Sequence, residues 1–214
     1  MKKYLVLGVL FLLPITAYIF FASGVNNFAK LPVLTPGVTE LTKFHTLEGN
    51  PVVLKDHITV LGFFGNEVAS KHGNAFNLIQ KIYKKNEGFE DFQLVILLEK
   101  GTETEAKALQ VKLKEMASMS NWKFVFGSTD AIQQVFDSLK TDHVLRSDYS
   151  TPYVFIIDKD RGLRGRDDDE DVGVLYGFDA RDVAEINNKM SDDIKVILAE
   201  YRLELKKYKA DREI

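Results

Sequence analysis

The sequence predicts an α/β fold, in which a central mixed sheet is flanked by helices and preceded by one N-terminal transmembrane helix. Short apolar runs alternate with amphipathic segments along residues 58 to 205, as expected when buried strands alternate with covering helices. A stretch of nineteen uncharged residues, Tyr4 to Ala22, follows two lysines at the N-terminus. The composition, with 45% hydrophobic and 28% charged residues, is that of a globular protein.

The uncharged stretch is predicted to be a membrane anchor. Its length approaches the roughly 20 residues that span a bilayer and exceeds the apolar core of about 7 to 15 residues in a cleavable signal peptide. Lys2 and Lys3 favour a cytoplasmic N-terminus, so we expect the domain on the outer face, the periplasmic side of the inner membrane if the source is bacterial. Ala22-Ser23-Gly24 is small enough for signal cleavage, which leaves a cleaved, secreted form open.

The rest of the chain suits one domain with one core. We assign residues 1–24 to the anchor or signal segment, 25–39 to a linker, 40–209 to the globular domain and 210–214 to a tail. The formal net charge of −3 at pH 7 offers no basic field, so nucleic acid is not an expected partner.

Four buried strands are predicted where the sequence is continuously apolar and rich in β-branched residues. They lie at residues 58–64, 92–98, 122–126 and 153–157, and shorter edge strands are predicted at 163–166 and 174–178. The alternation of these strands with helices implies a mostly parallel sheet that is covered on both faces.

Helices are predicted where apolar residues recur every three or four positions. They lie at residues 75–83, at 104–119, after Ser128 or Thr129, and from Asp179 to about Lys209. Asp179 is expected to cap the last helix, with Asp182 three residues further on.

The chain contains no cysteine. This removes disulfides, thiolate nucleophiles, dithiol redox pairs and cysteine metal sites together. No serine-hydrolase motif and no glycine-rich phosphate loop is present either, so we do not expect an enzyme.

Four segments resemble, in their order, the SCO/SenC family of membrane-tethered thioredoxin-like proteins. They are the lead-in hairpin Phe44 to Leu54 (FHTLEGNPVVL), the strand Ile58 to Phe64 running into a helix, Phe126 to Asp130 (FGSTD) before a short helix, and Phe155 to Gly165 (FIIDKDRGLRG). The resemblance covers roughly residues 40 to 205 and implies a thioredoxin-like fold.

Members of that family bind copper through two cysteines after the first buried strand and a histidine before the fourth. They are associated with copper-site assembly in respiratory oxidase or with thiol redox chemistry. The corresponding positions here fall near Glu67, Lys71 and Ser150. The resemblance therefore implies a degenerate member of the family, one that lacks the copper-binding cysteines. Copper is the family's metal, but we expect no cofactor here.

Thr151-Pro152 precedes the fourth strand, where many thioredoxin folds keep a cis-proline. One interpretation is a groove that holds an extended peptide against Pro152. The other is a proline kept at the start of the strand for backbone shape.

A metal site without thiols would draw on Glu67, His72 and His143. The alternative is a solvated helix start, in which Glu67 pairs with Lys71 one turn on. Met116 and Met119 are three residues apart, so on a helix their sulfurs would share one face and could bind Cu(I). The alternative is that these methionines pack in the core.

Two functions remain open from the sequence. The first is a non-catalytic, membrane-tethered binding or assembly factor with a protein partner. The resemblance implies that it acts in the maturation of a respiratory complex. The second is a metal-handling protein that uses histidine, carboxylate or methionine ligands in place of cysteine.

Overall fold

The computed structural model describes residues 2–22 and 30–210. Helix α1 (Lys2–Ala22) forms over the predicted anchor. Among the described residues, no helix was found that is both long enough and apolar enough to cross a membrane. The predicted cleavage site at Ser23-Gly24, linker residues 25–29 and tail residues 211–214 lie outside the described residues.

Nine strands follow among the described residues. They are β1 (Val33–Thr35), β2 (Ile58–Gly65), β3 (Phe92–Glu99), β4 (Trp122–Gly127), β5 (Ser150–Ile157), β6 (Leu163–Arg164), β7 (Arg166–Asp169), β8 (Gly173–Leu175) and β9 (Phe178–Asp179). The main sheet has the order β1-β6-β5-β2-β3-β4, with β9 also paired to β5, and β7 and β8 form a separate hairpin. β2, β3 and β4 run parallel, whereas β5 is antiparallel to β2. The mixed sheet and its four central strands are confirmed. The expectation of a mostly parallel sheet is wrong, because β5 pairs antiparallel with β2, β6 and β9, and β1 pairs antiparallel with β6.

The helices cover this sheet. α2 (His72–Leu78) continues through a π turn (Ile79–Tyr83) into α3 (Lys84–Asn86), and α4 (Glu103–Lys114) and α5 (Thr129–Ser138) follow. The last helix comprises α6 (Val183–Glu185), a second π turn (Ile186–Met190) and α7 (Ser191–Ala210).

The last helix begins later than the sequence predicted. Asp182, and not Asp179, is its N-cap, because the Asp182 carboxylate accepts hydrogen bonds from the amides of Ala184 and Glu185. Asp179 is held in β9, where it pairs with Tyr153 of β5. Strand pairing therefore keeps Asp179 extended and moves the helix start four residues along the chain.

α4 ends at Lys114, short of the predicted Met119. The amides of Met116 and Ala117 both donate to the Leu113 carbonyl, which closes the helix before the chain turns into β4. Met116 and Met119 thus do not share a helical face. Both are partly buried against the core, as the packing interpretation proposed.

The alternation of side chains along the strands produces an apolar cluster on each face of the sheet. Val60 and Phe64 of β2 point into the cluster covered by α2, α4 and α7. Leu61 and Phe63 point into the opposite cluster, which is covered by α5 and by residues 38–54.

The segment before β2 packs against the sheet. β1 lies within the predicted linker, but it pairs with β6, and Leu31 and Val38 beside it are buried. The lead-in hairpin is reduced to a single bridge between His45 and Pro51, and His45 also bridges Phe126 at the edge of β4.

Candidate functional site

The three positions that the resemblance pointed to lie around the C-terminal end of β2. Ser150, the first residue of β5, is in register with Phe64. Glu67 follows β2 directly, and its amide donates to the Phe64 carbonyl at 3.3 Å. Lys71 ends the 3-10 turn (Val68–Lys71) that leads into α2. The fold therefore gathers these positions at one end of the sheet, with Lys71 and Ser150 buried and Glu67 exposed.

Gly65 allows the loop before β5 to pack closely on this end of β2. Its φ is +57°, and a Cβ built there would lie 1.8 Å from the backbone oxygen of Asp148. The next amide, that of Asn66, donates to the same oxygen at 3.1 Å. The loop before β5 is thus packed directly on the end of β2, and only glycine allows this approach.

Asp148 is the central polar residue of the loop. Its Oδ1 accepts hydrogen bonds from the Ser150 hydroxyl at 2.7 Å and the Ser150 amide at 3.0 Å. Burial alone would raise the pKa of Asp148, but the bonds from Ser150 and the charges of Lys71 and Arg146 hold that pKa below its usual value. The sequence analysis missed Asp148, although an aspartate two residues before a buried amide is a common turn signal.

Lys71 corrects the expectation of a solvated helix start. The residue is only 5% exposed, while Glu67 is exposed to solvent. A 3-10 turn separates the two residues, so they do not share the i to i+4 spacing of an α-helix. Burial lowers the pKa of Lys71; Arg146 and Arg181 lower it further, and Asp148 opposes them.

The Thr151-Pro152 segment does not form an open groove. Both residues are buried, and the structure has only trans peptide bonds among its described residues. The Pro152 carbonyl already accepts a hydrogen bond from the Ala180 amide at 2.9 Å, next to the pairing of β5 with β9. Ala180 in turn is tied to α2 through the side chain of Asn77. The chain itself occupies the edge that an extended peptide would need, so the structure agrees with a proline kept for backbone shape.

The proposed metal ligands are not brought together. His143 stacks on Tyr153 with ring centroids 3.8 Å apart, and Tyr153 packs on the α5 side of the sheet. His72 begins α2, on the other side. Within the part of the chain that the structure describes, no three His, Asp or Glu side chains are grouped to hold a metal ion.

Residues 167–171 (DDDED), in and after β7, form an acidic run that is attached to the last helix by ion pairs. Lys189 contacts Asp169 at 2.7 Å and Asp171 at 2.6 Å. Arg166 contacts Asp193 at 2.8 Å. These pairs neutralise part of the run and attach the β7–β8 hairpin to the helix that covers the sheet.

No protein-family model and no curated protein matches the chain. Solved structures do. A SCO1/SenC family lipoprotein from Bacillus anthracis gives a TM-score of 0.57 at 16% identity, covering 79% of this chain and 99% of that one. BsSco, a member of the Sco family of cytochrome c oxidase assembly proteins, gives 0.54 at 13% identity, covering 78% and 98%. A proposed protein disulfide isomerase from Bacteroides thetaiotaomicron gives 0.52 at 14% identity, covering 82% and 98%.

The domain has a thioredoxin-like fold, similar to the folds of these SCO/SenC family structures. At these identities the likeness establishes the fold. The predicted thioredoxin-like fold is confirmed, and so is the resemblance to SCO/SenC proteins at the level of the fold, whereas the transmembrane helix stays a prediction.

The residues at the end of β2 do not fit copper, the metal that the resemblance implied. Soft thiolate donors select Cu(I), and the chain has none. The Lys71 ammonium is a cation with no lone pair to offer, and the Ser150 hydroxyl is already bonded to Asp148. We therefore derive no metal-dependent step at this site.

Proposed function

We propose that the protein is an exported, membrane-tethered binding or assembly factor that works without thiol or metal chemistry. Its partner would be a protein involved in maturing the copper site of a respiratory oxidase. The fold supports this proposal, because one of the similar structures belongs to a family of cytochrome c oxidase assembly proteins. The uncharged stretch after Lys2 and Lys3 supports the tether and the outward orientation.

The observation that carries the non-catalytic part is the closed end of β2. Buried Lys71 and Ser150 form a polar cluster with half-buried Asp148, and Gly65 lets the loop before β5 pack against the strand. No nucleophilic thiol or free imidazole lies in this arrangement. A hydrogen-bonded polar cluster of this kind makes the surrounding surface rigid, which suits binding.

The surface above this cluster is the binding surface that we propose. Asn66, Glu67 and Ser70 are exposed around the buried Lys71, and Arg146 and Arg181 are exposed nearby. The loops at this end are held by the sheet, and loops on a rigid scaffold commonly carry recognition.

Site-specific photo-crosslinking in the native membrane tests this proposal. A photoreactive benzoylphenylalanine replaces Glu67 in the full chain, and a matched chain carries it at Lys107, an exposed position on α4. We expect the Glu67 chain to form an adduct with an oxidase subunit or a copper-delivery protein. The absence of such an adduct, or the same adduct from position 107, would contradict the proposal.

A further inference from the structure

We infer that one face of α7 docks on the anionic phospholipid headgroups of the membrane that holds the N-terminal helix. This face is the α7 groove, formed by Phe89, Leu198 and Leu203 with a rim of basic residues. The inference rests on the proposed function, because it requires the membrane anchor. It goes further by identifying the side of the domain that contacts the lipid.

The chain joins the domain beside α7. The Lys30 ammonium lies 3.8 Å from a carboxylate oxygen of Glu200, on α7. The Leu31 carbonyl accepts a hydrogen bond from Nε of Arg164 at 2.7 Å, and Arg164 also binds Glu200 at 2.5 Å. Buried Arg164 thus fixes the start of the domain to the same turn of α7 that lines the groove.

The distance from this point to the end of α1 is bounded by the chain. Residues 23–29 separate Ala22 from Lys30, so the two Cα atoms are at most about 28 Å apart at about 3.5 Å per residue. A linker this short keeps α7, beside which the chain enters the domain, close to the membrane surface.

The floor of the α7 groove is apolar and open. The groove measures about 470 Å³ between α7 and the segment that follows α3. Phe89 and Leu198 are half-buried in it, and Ala199 and Leu203 are exposed, Leu203 by 37%. Exposed aliphatic side chains on one stripe of a helix are typical of helices that lie in a membrane interface.

The rim of the groove is positively charged. Lys85, Lys195 and Arg202 are all exposed along it. Arg202 lies over the Phe89 ring at 5.2 Å from the centroid, and Lys195 contacts Asp192 at 2.8 Å. Lys195, Leu198, Ala199 and Arg202 recur at three- and four-residue spacing, so cations and apolar groups share one face of α7. Basic residues beside an apolar floor complement anionic lipid headgroups.

The groove lies at the end of the sheet opposite the proposed binding surface. Arg164 pairs with Ile156, at the far end of β5 from Ser150. β2 spans eight residues between the two ends, or about 23 Å at about 3.3 Å per residue. Docking the α7 groove on lipid would turn Glu67 and Lys71 away from the membrane, toward a partner.

Single-cysteine labelling tests the inference, because the full chain has no native cysteine. An Ala199→Cys chain carries an environment-sensitive NBD dye and is reconstituted into liposomes of phosphatidylcholine alone, or of equal parts phosphatidylcholine and phosphatidylglycerol. A headgroup spin-labelled lipid is the quencher. Flotation after alkaline extraction reports, separately, whether the chain is anchored.

We expect anchored chains in both lipids, with a blue-shifted and quenched dye only where phosphatidylglycerol is present. Lys195→Glu with Arg202→Glu should remove most of that quenching. The matched pair Lys107→Glu with Lys112→Glu, exposed on α4, should leave it unchanged. Circular dichroism of each variant shows that the fold is retained.

An anchored chain whose dye is not quenched would overturn the inference and leave the proposed function standing. Quenching that is equal in the two lipids would overturn the role of the basic rim. A dye unshifted on liposomes but shifted by a polyglutamate peptide would assign the groove to an acidic protein instead. Loss of the chain on alkaline extraction would overturn the anchor itself, and the inference with it.

Discussion

Gly65 shows how a single residue determines the shape of the closed end of β2. Its positive φ and its approach to the Asp148 carbonyl let the loop before β5 pack on the strand. That packing places Asp148 next to Ser150 and within the influence of buried Lys71. A residue with no side chain therefore controls the position of the polar groups around it.

Gly65→Ala should destabilise the domain by at least about 2 kcal/mol, because the new Cβ meets backbone and the φ is unfavourable for alanine. Gly73→Ala is the matched control: nothing lies within 4 Å of its Cβ, and it is in α2. The control should gain about 0.5 to 1 kcal/mol, as alanine does over glycine in a helix. Urea unfolding measures both, and a Gly65→Ala chain as stable as wild type would refute the close approach.

Asp148 should make the stability of the domain depend on pH. Its folded pKa is lowered, so its carboxylate stabilises the fold fully above the unfolded pKa of about 4 and loses that effect as the pH falls through the folded value. Asp148→Asn should therefore cost about 1 kcal/mol at pH 7 and progressively less at acidic pH. Urea unfolding from pH 7 down to pH 3 measures this, and a difference that stays constant with pH would contradict it.

At the scale of elements, caps and strand pairing decide where helices start. The sequence offered Asp179 and Asp182 as candidate caps, and the choice between them depends on the pairing of Asp179 with Tyr153 across the sheet. Periodicity predicts the central strands and the existence of each helix, because burial leaves a direct pattern in the chain. It does not predict which aspartate is held in a strand, since that depends on a residue 26 positions away.

Asp182→Ala should cost about 1 kcal/mol, the usual effect of removing an N-cap. Asp179→Ala removes a side chain outside the helix and its pair with the exposed side chain of Arg181, so its cost should be smaller. Thermal unfolding compares the two variants. Equal losses, or a larger loss for Asp179→Ala, would mean that the helix begins where the sequence alone suggested.

Arg164 should be the strongest polar link between elements. It is buried and binds Asp158, Glu200 and the Leu31 carbonyl, so Arg164→Met leaves the buried Asp158 carboxylate without its cation and should cost about 3 to 5 kcal/mol. Arg181→Met is the control, because its side chain is 56% exposed, and it should cost less than about 1 kcal/mol. Urea unfolding checks both values. Similar losses in the two variants would show that Arg164 is not a buried link.

At the scale of the whole molecule, the two ends of the sheet have different characters. One end holds the start of the domain, Arg164 and the α7 groove; the other holds Gly65 and the cluster around Asp148. The sequence located Glu67, Lys71 and Ser150 through their order along the chain. It could not show that Lys71 is buried, because that depends on how the loop before β5 packs on the end of β2. The contact between Asp148 and Ser150 is a local turn that the sequence could have indicated.

Competition for Cu(I) tests the central claim most directly, namely that a thioredoxin-like fold is kept here without copper-binding residues. The full chain is titrated into a chromophoric copper complex under anaerobic conditions, with His72→Ala and His143→Ala chains in parallel. The account predicts that the chelator's spectrum is unchanged, since no thiolate is present and the two histidines lie on opposite sides of the sheet. Stoichiometric removal of copper from the chelator, abolished by either histidine substitution, would contradict it.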